Sequence, residues 1–265
     1  MSEGSVHRAA RRLTATGGEV LDEIVAEEVA VALVYNGVSH AVMMATPCDL
    51  EDFALGFSLT ERIVEKPSEI YDIEVEAVER GIEVRLRIAA QRMAGLQGRR
   101  RSLAGRTGCG LCGVDSLDAA MRPVARVEGS ESVSRRAVEG AMAALPVEQR
   151  LNRLNGATHA AGWARPDGSL VAVREDVGRH NALDKLGGAI ARSGLAAPGG
   201  FVVVTSRCSY EMVHKAATLG AAAIAAVSAP TSLAIETAEQ AGIALVAFVR
   251  EGRLTVYAHA QRISA

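Results

Sequence analysis

The pattern of apolar and polar positions becomes regular in the second half of the chain, where short apolar runs alternate with amphipathic stretches. It predicts strands at residues 158–164, 169–174, 201–205, 222–227, 244–248 and 254–258, and helices at 134–144, 179–191, 209–219 and 231–241. After the first helix, which Ser134 should cap and Pro146 should stop, the order is ββαβαβαββ. Short links between strands and helices require parallel crossovers that cover both faces of a sheet. We therefore predict a three-layer α/β/α domain over residues 129–265, with an antiparallel edge formed by its first hairpin.

The first half predicts a smaller α+β domain over residues 19–98. Its predicted elements are hairpins at 29–44 and 70–88 and helices at 50–63 and 89–96. The first hairpin turns at Asn36 and Gly37, a dipeptide that tolerates the positive φ angles of a tight turn. The first helix, of about four turns, is preceded by a capping pattern made by Thr46 and Asp49.

Length and composition exclude several classes of protein. The 265 residues are 49% hydrophobic and 23% charged, so the chain can bury a full core as a globular protein. A net charge of -2 gives no reason to expect binding to nucleic acid. Residues 1–18 lack both periodicity and the apolar core of a signal peptide, so we predict a flexible tail there. The longest apolar run, 219–229, ends at Pro230 well short of a membrane span, and we predict a cytoplasmic protein with free thiols.

Two of the four cysteines lie three residues apart in a glycine-rich segment. Residues 106–113 read Arg-Thr-Gly-Cys-Gly-Leu-Cys-Gly. The glycines disfavour helix and strand, so the segment is predicted to be a loop that exposes Cys109 and Cys112. Arginines at positions 99, 100, 101 and 106 place positive charge near these thiols and stabilise the nucleophilic thiolate. The connection at residues 99–128 therefore predicts sulfur chemistry, for instance a bound persulfide.

Other roles for the cysteines stay open. A zinc site needs two further ligands, and neither the other two cysteines nor the six histidines supply a second CxxC or HxxxH pair. A thioredoxin-like redox pair would begin a helix in a βαβ unit, which this glycine-broken segment does not resemble. An incidental pair in a surface loop is the third alternative. Cys48, in the first turn of its predicted helix, and Cys208, at a strand-to-helix junction, are interpreted as structural, with Cys208 a small buried residue.

Three polar segments follow predicted strands, at residues 175–181, 205–209 and 248–253. Ligands of α/β sheets collect beyond the carboxyl ends of parallel strands, where helix N-termini present free N–H groups. The segments share hydroxyls, arginines and glycines, a composition that binds phosphate or pyrophosphate. None forms a GxGxxG or a P-loop motif. Their structural alternatives are a helix cap with surface ion pairs for Asp176, His180, Asp184 and Lys185, a helix cap for 206–209, and solvated charges for Arg250 and Arg253.

Four longer motifs occur in order along the chain. They are Gly105-Arg106-Thr107-Gly108-Cys109-Gly110-Leu111-Cys112-Gly113, Thr158-His159-Ala160-Ala161-Gly162, Arg-Glu-Asp-Val-Gly-Arg-His-Asn-Ala-Leu-Asp-Lys at 174–185, and Thr205-Ser206-Arg207 with Ser209-Tyr210-Glu211-Met212-Val213. Together they resemble the FdhD family of sulfur carriers, which are required for active formate dehydrogenase. The likeness runs from about residue 20 to the C-terminus.

The resemblance implies a cytidine-deaminase-like α/β fold for the second domain, in agreement with the strand and helix order above. It does not imply deamination. Deaminases hold zinc with HxE and PCxxC motifs. The corresponding junctions here read Asp176-Val177-Gly178 and Ser206-Arg207-Cys208, so the resemblance implies no metal site.

The resemblance also implies roles for individual residues. Cys109 matches the cysteine that carries the persulfide, and Cys112 would assist transfer or release. The cofactor-binding turn of the family matches Phe248, Val249, Arg250, Glu251, Gly252 and Arg253, and we add Ser206 and Arg207 from the preceding polar segment. Val249 and Glu251 depart from other members of the family, so backbone contacts and Arg253 are the firmer expectations within this turn.

By the same resemblance, a cysteine desulfurase supplies sulfane sulfur, which passes to the molybdenum of a bis(molybdopterin guanine dinucleotide) cofactor before the cofactor enters formate dehydrogenase. We therefore predict a cytoplasmic sulfurtransferase, homodimeric as the family implies, with no metal of its own and with guanine nucleotides as mimics of the cofactor. Two alternatives stay open. One is a non-catalytic chaperone that docks the cofactor onto the dehydrogenase, and the other is a nucleotide-binding thiol redox protein.

Overall fold

The computed structural model describes residues 4–100, 123–129, 131–195, 199–250 and 252–265, with the backbone alone at 97–100. Cys109, Cys112 and Glu251 lie outside the described residues, as does most of the predicted connection at 99–128. Three hydrophobic cores are found in the described part of the chain, one in its first half and two in its second.

The described chain begins with a β-hairpin. β1 (Ser5–Thr14) pairs antiparallel with β2 (Gly17–Ala26) along the full length of both strands. The prediction of a flexible tail at residues 1–18 is therefore wrong for this segment. β1 contains few β-branched and no aromatic residues, so its own composition does not favour a strand. It is extended because each of its residues pairs with one of β2, and that pairing is invisible in the pattern of β1 alone.

The first half then forms a four-stranded sheet in the order β4-β3-β6-β5. Its strands are β3 (Val29–Tyr35), β4 (Val38–Ala45), β5 (Ile70–Val78) and β6 (Gly81–Ile88). β3 with β4 and β5 with β6 are antiparallel, which confirms both predicted hairpins, and β3 runs parallel to β6. The first hairpin turns at Asn36 and Gly37, whose φ angles are 47° and 79°. These positive angles are the reason that this dipeptide predicts the turn.

Two helices, α1 (Leu50–Thr60) and α2 (Ala90–Arg100), provide apolar side chains to the core of this sheet. α1 begins where predicted but ends at Thr60 rather than at residue 63, because the chain turns at Arg62 with a φ of 52°. The predicted capping pattern is wrong. Asp49 occupies the N-cap position with no side-chain cap bond, and Thr46 bonds instead to the second half of the chain, where its N–H donates to Asp176 Oδ2 over 3.0 Å.

The second half contains the predicted ββαβαβαββ order. Its elements are β7 (Val133–Ser134), α3 (Arg135–Glu148), α4 (Arg150–Asn155), β8 (His159–Ala164), β9 (Leu170–Asp176), α5 (Arg179–Ser193), β10 (Phe201–Val204), α6 (Tyr210–Thr218), β11 (Ala223–Ala226), α7 (Ser232–Ala241), β12 (Ala244–Arg250), β13 (Arg253–Ala258) and β14 (Ile263–Ser264), with 3₁₀ turns at Pro67–Glu69 and Ala260–Arg262 in the two halves. Ser134 caps α3 as predicted, since its Oγ accepts the N–H of Ala137 over 3.0 Å. Pro146 does not stop α3, which includes it and ends at Glu148.

A six-stranded sheet in the order β13-β12-β11-β10-β8-β9 lies at the centre of the second half. Side chains of α5, α6 and α7 pack on one face of the sheet, and those of α3 pack on the other. β10 and β11 are buried along their whole length, as expected for central parallel strands that carry helices on both faces. The predicted three-layer α/β/α arrangement is confirmed. None of the described helices is both long and apolar enough to cross a membrane.

The two halves meet where the backbones of α1 and α5 touch. A Cβ atom added to Gly56 would lie 2.6 Å from the amide nitrogen of Gly188, and closer still to the carbonyl oxygen of Asp184. One added to Gly188 would lie 2.7 Å from the Cα of Asp52, and closer still to its carbonyl oxygen. Real Cβ atoms do not approach backbone this closely, so both positions require glycine. We call this contact the glycine crossing.

Replacing Gly56 with Ala should lower the free energy of unfolding by about 3 kcal/mol or more, because the new methyl group meets backbone atoms that cannot yield. The matched control is Gly140→Ala in α3, where an added Cβ meets nothing within 4 Å. That change should raise stability by about 0.5 to 1 kcal/mol through helix propensity. Denaturant unfolding followed by circular dichroism measures both, and a Gly56→Ala protein as stable as the wild type would contradict the crossing.

Candidate functional site

The three polar segments leave the same edge of the six-stranded sheet. β9 and β10 are each antiparallel to β8, so they run in one direction, and β11 and β12 are parallel to β10. The carboxyl ends of β9, β10 and β12 therefore lie together, next to the start of β8. There His159 pairs with Asp176 in the strand register, and Thr205 Oγ1 accepts the N–H of Ala160 over 2.9 Å. We call this region the carboxyl edge.

Two acidic residues at the end of β9 are bonded within the protein rather than available to a ligand. The carboxylate oxygens of Glu175 accept the N–H groups of Leu151 and Asn152, each over 2.8 Å, so Glu175 caps α4. Asp176 is fully buried, with its Oδ2 atom 2.7 Å from Nζ of the equally buried Lys185. The alternative of an ion pair therefore describes Asp176 and Lys185 better than a phosphate-binding role, although the pair is buried and not on the surface.

A second buried ion pair joins Asp184 of α5 to Lys215 of α6. The Nζ atom of Lys215 lies 2.8 Å from Asp184 Oδ1 and 2.9 Å from Glu61 Oε1, and Thr60 Oγ1 donates to Asp184 over 2.6 Å. Burial alone would lower the pKa of Lys215, but the carboxylates of Asp184 and Glu61 outweigh burial and raise it. Lys215 is therefore a charged ammonium group. It holds the end of α1 against α5 and α6.

Sequence reasoning missed Lys215 and Glu61. Lys215 follows Met212 and precedes Ala216 on the buried face of α6, where an apolar residue would be usual. A lysine at such a position indicates a buried acidic partner, since an unpaired buried charge is costly. The partner on α1 could not be found this way, because nothing in the local pattern indicates that α1 packs there.

A cluster of titratable side chains remains at the carboxyl edge, where α5 and α6 begin. His180 Nε2 lies 2.8 Å from Glu211 Oε2, and this contact lowers the pKa of Glu211. His159 is half-buried, and burial, followed by the charges of Arg179 and His180, lowers its pKa, so at neutral pH it is an uncharged imidazole. The Nε atom of Arg179 is buried and has no hydrogen-bond partner among the described residues. Within this cluster, the guanidinium group of Arg179 can bind an anionic ligand. His159, Arg179, His180 and Glu211 all stand within the motifs that carry the family resemblance, which is the signal that could have singled them out.

The segment after β10 contains one accessible charge. Arg207 is exposed, whereas the hydroxyl of the buried Ser206 donates to the carbonyl oxygen of Arg207 over 2.9 Å. Ser209 holds the N-cap position of α6 but makes no side-chain cap bond, and its Oγ is buried without a partner among the described residues. The structural alternative, in which hydroxyls of residues 206–209 cap the helix, is therefore wrong. Arg207 is therefore the exposed side chain of this segment that a ligand can reach.

The predicted cofactor turn lies at the end of β12 and the start of β13. Phe248 has a φ of 53°, and the strand register is irregular between Ala247 and Arg250. The Val249 side chain is 3% exposed and packs in the core, so only its backbone can meet a ligand. Arg250, Gly252 and Arg253 are exposed, while Glu251 lies outside the described residues. The Gly252 carbonyl accepts a hydrogen bond from Arg135 over 2.7 Å.

The two cysteines in the described part of the chain differ in environment. Cys208 is 0% exposed within the core between α6 and the sheet, and burial raises the pKa of its thiol to about 12. Its interpretation as a buried structural residue is confirmed. Cys48 is half-buried in the link between β4 and α1, just before the helix rather than in its first turn, with Lys185 Nζ 3.9 Å from its sulfur.

The described residues contain no group of three or more His, Cys, Asp and Glu side chains that could hold a metal ion. At the two junctions where deaminases hold zinc, the side chains have other partners. Asp176 is paired with Lys185, and Cys208 faces the core. Arg179, Arg207, Arg250 and Arg253 follow strand ends along the carboxyl edge, and guanidinium groups of this kind can bind an anionic group.

Comparison with known proteins identifies close relatives over nearly the whole chain. A model of the FdhD/NarQ family matches residues 26–264. The chain is 59% identical over 239 residues to the sulfur carrier protein FdhD of Cupriavidus necator, a match that covers 90% of this chain and 83% of that protein. It is 50% identical over 247 residues to the sulfur carrier protein FdhD of Bordetella petrii, covering 93% and 89%. A crystal structure assigned to a formate dehydrogenase accessory protein of Desulfotalea psychrophila matches with a TM-score of 0.74 at 25% identity, over 98% of this chain and 99% of that one.

The low pKa of His159 generates a prediction about pH. Because protonation is disfavoured in the folded state, the unfolded chain binds the proton more readily, so the contribution of His159 to stability falls as the pH drops below about 6.5. Replacing Arg179 with Met removes a positive charge that lowers the pKa of His159. The titration midpoint of His159, measured by NMR of the imidazole ring, should therefore rise. Arg165→Met, in the exposed turn at the opposite edge of the sheet, is the matched control and should leave the midpoint unchanged. An unshifted midpoint in Arg179→Met would contradict the proximity of the two groups.

Proposed function

The chain belongs to the FdhD/NarQ family, and from this membership we propose that it is a sulfur carrier that acts as a sulfurtransferase. It takes persulfide sulfur from a cysteine desulfurase onto Cys109. It then passes the sulfur to the molybdenum of bis(molybdopterin guanine dinucleotide), a cofactor destined for formate dehydrogenase. The proposal agrees with the names of the relatives, which are a sulfur carrier protein and a formate dehydrogenase accessory protein.

The observation that carries the proposal is the burial of Cys208. A thiol that is 0% exposed and has a pKa near 12 can neither meet a partner protein nor form a thiolate at neutral pH. Cys48 is half-buried at the joint between the two halves of the chain, beside Lys185. The glycine-flanked and arginine-rich segment that carries Cys109 and Cys112 is therefore the better location for an exposed nucleophilic thiol.

The proposed reaction consists of two thiol exchanges. The Cys109 thiolate attacks the outer sulfur of the persulfide on the desulfurase, the sulfur–sulfur bond breaks, and the thiolate of the desulfurase leaves. Cys109 now carries the persulfide. The Cys112 thiolate then attacks the inner sulfur of that persulfide, which forms a disulfide between Cys109 and Cys112 and releases hydrosulfide to the molybdenum. A dithiol reductant returns the disulfide to two thiols before the next cycle.

Residues at the carboxyl edge support the proposal that the protein binds the guanine dinucleotide part of the cofactor. Arg250 and Arg253 are exposed at the β12–β13 turn, and Arg207 is exposed at the end of β10. A guanidinium group binds phosphate oxygens through charge-assisted hydrogen bonds. The half-buried ring of Phe248 offers a face for a purine base. Sulfur carried on Cys109 would then pass to a cofactor held by its nucleotide.

Replacing Cys109 with Ala should abolish sulfur loading without loss of fold, since a glycine-flanked segment contributes little packed area. Intact-mass analysis after incubation with a cysteine desulfurase and cysteine measures the loading, and the wild type should gain the mass of one sulfur atom. Cys208→Ala is the matched control. It should load normally and lose about 1 kcal/mol of stability from lost packing. Loading retained in Cys109→Ala would move the nucleophile elsewhere, and an unloaded wild type that binds cofactor would favour the chaperone alternative.

The cofactor assignment predicts discrimination between purine bases. Guanosine diphosphate should bind the purified protein, and adenosine diphosphate should bind much more weakly, because the wrong base leaves polar groups unpaired at about 1 to 3 kcal/mol each. Arg253→Ala should weaken guanosine diphosphate by about 10-fold or more, consistent with the loss of a charge-assisted hydrogen bond. Arg165→Ala, at the opposite edge of the sheet, should have no effect. Calorimetric titration measures these affinities. Equal affinity for both nucleotides would contradict the guanine assignment even if sulfur loading were observed.

A further inference from the structure

A cavity of about 500 Å³ opens at the edge of the six-stranded sheet opposite the carboxyl edge. We call it the amino-edge cavity. Gly242 of its wall directly precedes β12, and the pairing of Leu245 with Ala258 puts the end of β13 next to it. The seven residues of β12 span about 20 Å, so the cavity is separate from the cofactor turn at the far end of that strand. The rest of its wall comes from residues 126–129 and from His259, Gln261 and Arg262.

The walls of the amino-edge cavity are tied to one another by hydrogen bonds. The N–H of Val127 donates to the carbonyl oxygen of Ala241, at the end of α7, over 2.8 Å. Arg262 Nη2 donates to the carbonyl oxygen of Gly129 over 2.6 Å and to that of Val127 over 3.4 Å. The three stretches of wall therefore hold their relative positions without a ligand. A site that is formed in advance lowers the cost of binding.

His259 is an uncharged part of this wall, because both of its ring nitrogens have partners. Its Nε2 atom lies 3.0 Å from the carbonyl oxygen of Glu239, which can only accept a hydrogen bond. Its Nδ1 atom lies 3.0 Å from Gln261 Nε2, which can only donate one. The imidazole ring therefore carries its proton on Nε2 and is neutral. It has no donor left for a ligand in the cavity.

Arg262, in contrast, has a donor without an acceptor. Its Nη1 atom is shut off from water and has no hydrogen-bond partner among the described residues. A guanidinium N–H group in this state is costly, because the charged group loses its hydrogen bonds to water and gains none in return. Arg126 brings a second, exposed guanidinium group to the same cavity. The wall therefore lacks a hydrogen-bond acceptor, and a negatively charged acceptor suits two arginines best.

The other charges at the cavity restrict which anion fits. Arg126 and Arg262 together with Glu128 give the wall a net charge of +1 when His259 is neutral. The helix α7 ends at the cavity, and the C-terminal end of a helix carries partial negative charge. Glu128 and α7 would therefore repel a second negative charge on a ligand. A carboxylate carries one negative charge at neutral pH, whereas a phosphate monoester carries about 1.5 to 2.

We propose that the amino-edge cavity binds a small organic carboxylate. The carboxylate oxygens accept hydrogen bonds from Arg126 and from Arg262, whose Nη1 atom meets the ligand when the side chain turns toward the cavity that it lines. The remainder of the ligand occupies the cavity, whose volume lies within the range of small-molecule sites. Neither the thiols nor the cofactor turn takes part, so this site does not depend on the proposed function.

The test is an NMR titration of the full chain with sodium acetate and with sodium pyruvate, against sodium chloride at the same concentrations. The amide signals of Gly129 and Gly242, which line the cavity, should shift and saturate with both carboxylates and not with chloride. Arg126→Ala should weaken pyruvate by about 5-fold or more, because it removes a charge-assisted hydrogen bond. Glu128→Gln should strengthen pyruvate by about 2-fold or more, because it removes a like charge. Both residues are exposed, so neither change should disturb the fold.

Arg165→Ala is the matched control. Arg165 is an exposed arginine at the same edge of the sheet, in the turn between β8 and β9, and it does not line the cavity, so its loss should leave the affinity unchanged. Guanosine diphosphate should not displace pyruvate. Signals that fail to saturate, or an Arg126→Ala protein that binds as tightly as the wild type, would overturn the proposal. Inorganic phosphate that binds more tightly than pyruvate would overturn the carboxylate assignment, and displacement by guanosine diphosphate would assign the cavity to the cofactor instead.

Discussion

The backbone of α1 lies directly on the backbone of α5, and the glycine crossing sets how the two halves of the molecule are joined. Gly56 and Gly188 leave no room for side chains between the helices, so the helices lie close together. Acidic side chains near this contact are buried between the two halves. Asp176 and Asp184 are buried there, and each is neutralised by a lysine, Lys185 or Lys215. Loss of one partner of such a pair costs about 3 to 5 kcal/mol, because the other charge stays buried. Packing and electrostatics thus require the same relative placement of the two halves.

This joint explains why the carboxyl edge differs from a metal-dependent site. The acidic residue that ends β9 is used to hold Thr46 and Lys185, and Glu175 next to it caps α4. Arg207, Arg250 and Arg253 are exposed there, and their guanidinium groups suit a phosphorylated ligand. The segment with Cys109 and Cys112 begins after α2, in the first half of the chain. It ends before Val127, whose N–H donates to Ala241 of the second half over 2.8 Å. The joint therefore fixes the described residues on both sides of the thiol segment relative to the carboxyl edge.

Much of the fold could be predicted from the sequence, because its elements follow local rules. Asn36 and Gly37 adopt the positive φ angles that their residue types tolerate, and the apolar runs of β10 and β11 are buried as central strands. The failures share a physical cause, which is a partner that the local pattern of the segment does not reveal. Thr46 does not cap α1 because it bonds to Asp176, 130 residues later. β1 is extended only because β2 pairs with it.

The candidate site, like the fold, could be predicted from the sequence only in part. That residues 175–181, 205–209 and 248–253 share one edge follows from strand direction, which the alternating pattern predicts. Which side chains there stay available does not follow, since Val249 and Glu175 both look like ligand contacts until their packing and hydrogen bonds are known. The burial of Lys215 depends likewise on Glu61 and Asp184, which lie on two other helices.

Native-state hydrogen exchange tests most directly whether the glycine crossing joins the two halves into one cooperative body. Amides of β3 and β6 report on the first sheet, and amides of β10 and β11 report on the second. If the shared backbone contact and its buried ion pairs govern the fold, both sets should exchange with the same opening free energy and the same dependence on denaturant. Opening of β3 and β6 at a clearly lower free energy, while β10 and β11 stay protected, would contradict the account.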